Sequence, residues 1–191
     1  MTHPTRPAAR PFHRTLVAAS VAALALVACG DDGDDAASAD AATPVTNDAG
    51  VLDVVMDDFH YGDLPSAVPA GTRITVSNAS EVELHEFVAF RLPDDDQRPV
   101  AEIVGGDLVS LLGDSEPAMV LLAPPGGEQI AAVGDGTLTD PGRYLVICVI
   151  PTGADPGEYL DAAATSDGPP QVAGGAPHVA NGMYAELTVT G

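Results

Sequence analysis

Residues 51–191 are predicted to form an all-β domain, an antiparallel β-sandwich. Short apolar runs recur throughout this part of the chain, and several alternate apolar with polar residues in the period of two that a half-buried strand requires. Turn-forming segments such as Pro124-Pro125-Gly126-Gly127 and Asp140-Pro141-Gly142 separate the runs. Many short strands with this punctuation are typical of two packed antiparallel sheets.

Seven runs are strand candidates, each between five and nine residues long. The alternation is clearest in Ile74-Thr75-Val76 and in Leu187-Thr188-Val189, where apolar residues flank a threonine. Such a pattern buries one face of a strand and leaves the other face to solvent. The seven candidates are residues 51–59, 72–77, 82–90, 118–122, 129–133, 144–149 and 185–190.

Two segments interrupt the strand pattern. In residues 99–113, apolar residues recur at helical spacing, which predicts a helix that Gly105 and Gly106 weaken. Proline, glycine and alanine dominate residues 151–177, where we expect a long loop with a short helical stretch around residues 156–164. The apolar positions of the first segment are Val100, Ile103, Val104, Leu108, Leu111 and Leu112.

The first 29 residues have the features of a lipoprotein signal peptide. A leader with three arginines and no acid precedes an apolar run, residues 16–28, that is too short to span a bilayer as a stable helix. The run ends in Leu26-Val27-Ala28-Cys29-Gly30, which resembles the cleavage box of bacterial lipoproteins, whose cysteine is acylated and becomes the mature N-terminus. We therefore expect a lipid on Cys29 and a location on the extracytoplasmic face of a cell membrane. An ordinary cleaved signal with a chance cysteine is the alternative.

Acidic residues dominate the chain after the leader. Residues 30–50 have almost nothing large to bury and are expected to form a disordered acidic tether between the lipid and the domain. From residue 30 onward, four arginines and no lysine stand against 28 acids, a net charge of −24. This charge excludes nucleic acid as a partner and gives no attraction to anionic lipid head groups, so acyl chains would have to hold the protein at the membrane. We expect a monomer whose protein partner is basic or docks through an uncharged patch, although solubility in salty surroundings explains the acidity equally well.

Cys148 is left without a disulfide partner if Cys29 carries the lipid. A free thiol outside the cytoplasm is exposed to oxidation, so its presence there needs an explanation. Two explanations fit the residue itself: a buried, inert small hydrophobe, or a metal ligand.

The segments around Cys148 carry the chemical signal. Gly142-Arg143-Tyr144-Leu145-Val146-Ile147-Cys148 is an alternating strand that ends on the cysteine, and Pro177-His178-Val179-Ala180-Asn181-Gly182-Met183 follows it. Upstream, Val68-Pro69-Ala70-Gly71-Thr72-Arg73-Ile74-Thr75-Val76-Ser77-Asn78 leads to His85. Together these motifs resemble the cupredoxins, in particular the plastocyanin-like, type 1 blue copper proteins, over residues 51–92 and 140–191. The resemblance implies a Greek-key form of the sandwich.

The resemblance also implies one copper ion held by His85, Cys148, His178 and Met183. The residue types suit this role, because soft thiolate and thioether ligands favour Cu(I) while imidazole serves both oxidation states. Three histidines follow the leader, and the one that is not in this ligand set, His60, has no counterpart in the family, so we interpret it as structural. In this arrangement the electron usually enters and leaves through an exposed edge of the second histidine, here His178.

The chain departs from the family pattern in two places. Between Cys148 and His178 lie 29 residues, where plastocyanin-like proteins have only a few. Loop-closure entropy grows slowly with length, so the site can still close, and we expect residues 151–176 to form a cover beside the metal rather than part of the core. The residue after the first histidine is Glu86 where the family commonly has a bracing asparagine. Glu86 is expected to face solvent or brace a loop, with a role as an extra ligand as the alternative.

Three functions follow from this interpretation. The first is a membrane-anchored one-electron carrier with a mononuclear type 1 copper site. The second is a copper chaperone or buffer that exchanges the ion with another protein, and the third is a metal-free cupredoxin-like interaction module. An enzyme is not expected, because the sequence contains no HExxH, no Cys-x-x-Cys, no phosphate-binding glycine loop and no Ser-His-Asp order.

Overall fold

The computed structural model describes residues 50–191, apart from residues 107, 109, 111, 112, 114 and 167. The predicted signal peptide, the predicted lipidation site Cys29 and nearly all of the predicted tether lie outside the described residues. In the described part of the chain, no helix is both long enough and apolar enough to cross a membrane.

The described residues form two packed β-sheets with two short helices. The four-stranded sheet has the order β2-β1-β4-β8, and the six-stranded sheet has the order β3-β10-β9-β5-β6-β7. The strands are β1 (Val51–Asp57), β2 (His60–Gly62), β3 (Ala67–Pro69), β4 (Thr72–Asn78), β5 (His85–Arg91), β6 (Met119–Ala123), β7 (Ile130–Val133), β8 (Thr137–Leu138), β9 (Gly142–Ile147) and β10 (Tyr184–Thr190). The helices are α1 (Val100–Gly106) and α2 (Pro156–Ala163), and a 3-10 turn spans His178–Asn181.

The predicted β-sandwich is confirmed, and all seven predicted strands are present. They correspond to β1, β4, β5, β6, β7, β9 and β10. The sequence analysis missed β2, β3 and β8, which have only two or three residues and are too short to display a period of two.

The sheets are mixed rather than purely antiparallel. β1 pairs with β4 in parallel, and β3 pairs with β10 in parallel, while the other six pairings are antiparallel. Between β1 and β4 the chain passes through β3, which belongs to the other sheet. A chain that crosses to the second sheet and returns can run parallel to the strand it left, as in other crossover connections.

The main core lies between the two sheets. β1 alternates strictly, with Leu52, Val54 and Met56 buried and the residues between them exposed. The inward residues of the six-stranded sheet, among them Phe87 and Tyr144, complete this cluster. The two alternating segments named from the sequence follow the same pattern, because Ile74, Val76, Leu187 and Val189 are buried and the threonine between each pair is partly exposed.

A second apolar cluster covers the outer face of the six-stranded sheet. β5 is buried on both faces, because Val88 and Phe90 point away from the main core and still need cover. Ile103 of α1 provides part of this cover and is itself buried. The predicted helix is thus present over residues 100–106, and the predicted positions Leu111 and Leu112 lie outside the described residues.

Helix α2 lies where a short helix was expected. Asp155 caps it by accepting a hydrogen bond from the Glu158 amide at 2.9 Å, and Pro156 occupies the first turn, where its missing N–H costs nothing. The helix ends at Ala164, whose amide bonds to the Leu160 carbonyl at 3.0 Å.

The expectation that residues 151–176 stay out of the core is wrong for part of the segment. Ala154 and Tyr159 are buried in the main cluster. The Tyr159 ring fills core space, and its hydroxyl donates a hydrogen bond to a Glu86 carboxylate oxygen at 3.3 Å. A tyrosine can be buried in this way when its hydroxyl finds a partner, which the composition of the loop does not reveal.

Replacing Tyr159 with alanine is expected to lower the free energy of unfolding by about 3 to 5 kcal/mol, the range for deleting a buried aromatic ring. Tyr159→Phe keeps the ring and removes only the hydrogen bond, so it should cost about 1 kcal/mol. Urea unfolding of the two variants measures the difference. If both variants lost little stability, and by the same amount, residues 151–176 would be a surface cover, as expected from the sequence.

Candidate metal centre

Three of the four predicted ligands meet at one end of the sandwich. His85 is the first residue of β5, and Cys148 directly follows β9, its antiparallel neighbour. His178 opens the 3-10 turn before β10. The ligating atoms of these three residues all lie within 4.8 Å of one another, and all three side chains are fully buried.

The nitrogen that each histidine turns towards the centre is Nδ1. The Nδ1 atoms of His85 and His178 are 3.2 Å apart, and the Cys148 Sγ atom is 3.3 Å from Nδ1 of His178. Two imidazole nitrogens and one sulfur therefore face a single point. This is the donor set of a trigonal Cys-His-His site.

Backbone hydrogen bonds attach the turn that carries His178 to the strand that carries Cys148. The His178 amide donates to the Ile150 carbonyl at 2.9 Å, and the Val179 amide donates to the Cys148 carbonyl at 2.8 Å. Gly182, with φ of 105°, ends the turn in a left-handed conformation that favours glycine. The spacing of the Pro-His-x-x-x-Gly-Met motif thus has a geometric reason.

Met183 is buried directly beside these residues. Its carbonyl accepts a hydrogen bond from the Cys148 amide at 3.2 Å, and its amide donates to the His178 carbonyl at 3.1 Å. The backbone of Met183 is therefore bound to both neighbouring ligands. Its role as the fourth ligand stays a prediction.

The long segment between Cys148 and His178 is closed at its base. Pro151 and Pro177 form a β-bridge, the Thr152 amide donates to the Ala176 carbonyl at 3.0 Å, and the Gly175 amide donates to the Thr152 carbonyl at 2.8 Å. These bonds bring the two ends of the segment together independently of its length. They explain how 29 intervening residues leave Cys148 and His178 in contact.

Each histidine turns its outer nitrogen towards a carboxylate. Nε2 of His178 is 3.3 Å from Oε2 of Glu83, and both Glu83 oxygens accept the Gly153 amide at 3.1 and 3.0 Å. Nε2 of His85 is 3.6 Å from Oδ1 of Asp58 and has no hydrogen-bond partner within the described part of the chain. Metal-bound histidines commonly have such partners on the outer nitrogen, because a carboxylate fixes the ring orientation and raises the basicity of the ligand.

The sequence analysis missed Asp58 and Glu83. Both acids lie close to other informative residues, with Glu83 two positions before His85. In a chain with 28 acids, however, an acid near a histidine carries little information. Which imidazole nitrogen faces inward depends on side-chain rotation, and the sequence does not encode that in any short motif.

Burial disfavours the charged form of each of the three inner residues. Burial lowers the pKa of both His85 and His178, which keeps the imidazoles neutral as metal ligands must be. Burial, with a smaller contribution from the charge of Glu86, raises the pKa of the Cys148 thiol. The thiol would therefore release its proton as a metal ion binds. Buried neutral imidazoles around a buried sulfur fit a single soft ion such as copper.

Glu86 is buried and braces the site, so it does not face solvent. One of its carboxylate oxygens accepts the Val149 amide at 2.9 Å, immediately after Cys148, and the other accepts the Tyr159 hydroxyl. Burial raises the pKa of Glu86 to about 7, although these two hydrogen bonds act in the opposite direction. Glu86 thus connects the segment that follows the cysteine strand to helix α2. Of the two expected roles, facing solvent or bracing a loop, the loop-bracing role is the correct one.

The expectation of an exposed edge on His178 is wrong. The side chain is fully buried. Glu83 covers its outer nitrogen, and the Phe59 ring packs edge-on against it with 5.1 Å between ring centroids. His60 is exposed on β2 and is not part of the cluster.

The sandwich and its buried His-Cys-His cluster match the architecture expected from the sequence motifs. The described chain is a two-sheet β-sandwich with His85, Cys148 and His178 together as a candidate ligand set for one metal ion.

No family model and no curated protein matches the chain. Among solved structures, it is similar to reduced auracyanin from Roseiflexus castenholzii, with 17% identity and a TM-score of 0.42 over 74% of this chain and 98% of that one. It is also similar to auracyanin A, described as a "blue" copper protein from Chloroflexus aurantiacus, with 16% identity and a TM-score of 0.39 over 78% and 100% of the two chains. The corresponding values for auracyanin B are 17% identity and a TM-score of 0.35 over 74% and 88%.

Proposed function

We propose that the protein binds one copper ion through His85, Cys148, His178 and Met183 and serves as a one-electron carrier. The observation that carries this proposal is the convergence of two Nδ1 atoms and one Sγ atom within 4.8 Å in a fully buried cluster. A copper ion bound there would supply one-electron transfer by alternating between Cu(I) and Cu(II).

The chain's own residues supply rigidity and exclusion of water. His85 begins β5 and Cys148 directly follows its paired strand β9, and backbone hydrogen bonds hold the turn of His178 to Cys148 and Ile150. Glu83 lies against the outer nitrogen of His178, so the ring has little freedom to turn. Ligands held in this way move little when the charge of the site changes, which keeps the cost of each electron transfer low.

Copper titration of the mature chain, with Cys29→Ser to remove the second thiol, tests the proposal. We expect one equivalent of Cu(II) to bind and to give an intense visible absorption from thiolate-to-copper charge transfer, together with the narrow copper hyperfine splitting of a type 1 site in the electron spin resonance spectrum. A protein that stays colourless and free of copper would favour the interaction module instead.

Burial of the ligands favours a carrier over a chaperone. A protein that passes copper on needs ligands that a partner can reach, whereas His85, Cys148 and His178 are all fully buried. We expect a Cu(I) chelator in excess to remove the ion over hours rather than seconds. Rapid removal would support the role of chaperone or buffer.

Met183→Leu is expected to keep copper and colour while raising the reduction potential. Although a thioether is a soft ligand, the loss of any donor destabilises the more highly charged Cu(II) more than Cu(I), so the variant should favour the reduced state. Leucine is close to methionine in volume, and the packing should survive. Voltammetry of the variant and the wild type gives the potentials, and equal values would remove Met183 from the ligand set.

We also propose that a lipid on Cys29 anchors the protein to the extracytoplasmic face of the cell membrane. The support is the basic leader, the short apolar run and the sequence Leu26-Val27-Ala28-Cys29-Gly30. In cells that express the full chain, Cys29→Ser should move the protein from the membrane fraction to the soluble fraction. Equal membrane partitioning of variant and wild type would contradict the anchor.

A further inference from the structure

Since His178 has no exposed edge, a partner must reach the centre through another part of the surface. Two side chains touch a ligand ring and also extend to the surface. Asp58 lies 3.6 Å from His85 with its side chain 54% exposed, and half-buried Phe59 packs against His178. Both belong to the turn between β1 and β2.

This turn has a defined geometry. Asp57 pairs with His60 in the antiparallel register of β1 and β2, which makes Asp58 and Phe59 the two residues of the turn. The Asp58 amide donates to the Asp57 carboxylate at 2.8 Å, and Phe59 has a φ of 62°. A bulky residue seldom adopts a left-handed backbone, and here that conformation accompanies the packing of Phe59 on His178.

A neighbouring loop, residues 79–84, adds an apolar residue to the same end of the molecule. The Ala79 amide donates to the Met56 carbonyl at 2.8 Å, which joins the loop to the end of β1. In this loop Glu83 contacts His178, while Val82 beside it is 69% exposed, more than the other large hydrophobic residues that the structure describes as exposed. We call the turn, Asp58 and Phe59, and the loop, residues 79–84, together the metal-end rim.

The arginines of the described domain are confined to one of its ends. All four arginines of residues 50–191 lie at the end opposite the metal-end rim: Arg73 near the start of β4, Arg91 at the end of β5, Arg143 near the start of β9, and Arg98 beside it through a hydrogen bond from Arg143 to the Arg98 carbonyl. The end that carries the metal centre therefore has acids without a compensating cation. Its exposed acids include Asp57, Asp58, Glu81 and Glu128.

We propose that the metal-end rim is the surface on which a basic redox protein docks to exchange electrons with the centre. This inference rests on the proposed function. Phe59 and Val82 supply the apolar contact, as in the centre of other interfaces, and the surrounding acids steer a positively charged partner. The ring of Phe59 and the carboxylate of Asp58 are the groups that connect the partner to His178 and His85.

The test uses the copper-loaded protein and a cytochrome c with positive net charge as the probe. Stopped-flow absorption measures the electron-exchange rate as a function of salt. The test variant combines Glu81→Gln with Val82→Ser, neither of which contacts a ligand in the structure. The matched control combines Asp95→Asn with Val133→Ser, which makes the same kinds of change towards the opposite end.

We expect the rate constant of the test variant to fall about five- to tenfold at low salt, with the control within about twofold of the wild type. The wild-type rate should also fall as salt increases. The visible spectrum should be the same in all three proteins, which shows that the metal site is intact. An unchanged rate in the test variant, an equal loss in the control, or a rate that is independent of salt would each overturn the docking surface.

A second measurement separates this proposal from the copper function. Binding of the same cytochrome to the metal-free protein is followed by the amide resonances of residues 57–60 and 79–84. Shifts confined to these residues support the docking surface even if copper does not bind. Shifts centred on the opposite end overturn the docking surface even if the copper spectrum is that of a type 1 site.

Discussion

Replacing Cys148 with serine is expected to abolish the intense visible absorption of the copper-loaded protein and to weaken copper binding by at least about a hundredfold. The absorption arises from a bond between thiolate and copper, and a serine hydroxyl does not lose its proton at neutral pH. Serine is close in size to cysteine, and its hydroxyl can hydrogen-bond to Nδ1 of His178, the atom 3.3 Å from the present sulfur. The fold should therefore survive.

Thermal unfolding of the metal-free variant checks that last point. The control is Cys29→Ser in the same chain, because it removes the second cysteine from a segment outside the described domain. If the Cys148→Ser protein kept the absorption, the thiolate would have to be a different one and the ligand set would be wrong. If the variant lost copper together with its cooperative unfolding, Cys148→Ala, which leaves a smaller apolar group, would separate ligation from folding.

The convergence of His85, Cys148 and His178 could be predicted because local motifs carry it. The strand that leads to Cys148 and the turn that begins with His178 are each formed by consecutive residues. Their backbone hydrogen bonds link Cys148 to Val179 and Met183, within the segment that the motif defines. Alternation likewise predicted β4 and β10, each of which shows the period of two within its own residues.

Features that depend on distant residues could not be read in the same way. The parallel pairing of β1 with β4 follows from the path of the chain through β3, a three-residue strand without a recognisable pattern. The burial of Tyr159 depends on Glu86, which is 73 positions away in the sequence. The composition of the loop gave no sign that one of its rings enters the core.

The covered face of His178 is the largest departure from the sequence-based expectation. Its cause lies in the long segment after Cys148, whose Gly153 amide fixes the carboxylate that faces Nε2. A short loop between the two ligands would lack this amide. The extra residues therefore do more than cover the site, because they position an acid against one of its ligands.

Glu83→Gln is expected to weaken Cu(II) binding about tenfold and to raise the reduction potential, in line with other residues that orient metal-bound histidines. The carboxylate accepts the Gly153 amide with both oxygens and lies 3.3 Å from Nε2 of His178. Glutamine has the same shape, but an NH2 group replaces one acceptor oxygen, so at least one of the three contacts with the Gly153 amide and His178 is lost. It also removes the negative charge that makes the imidazole a better ligand for Cu(II) than for Cu(I).

Copper titration and voltammetry measure the two effects, and Glu81→Gln is the matched control, because Glu81 is an exposed acid two positions away. A purely structural role for Glu83 would reduce the stability of the metal-free protein and leave the potential of the copper-loaded form unchanged. Glu83→Asp keeps the charge on a shorter side chain, so it should recover part of the potential shift even where its hydrogen bonds are longer. A potential in Glu83→Gln that equals the wild-type value would remove the carboxylate from the metal centre and leave it as a support for the loop.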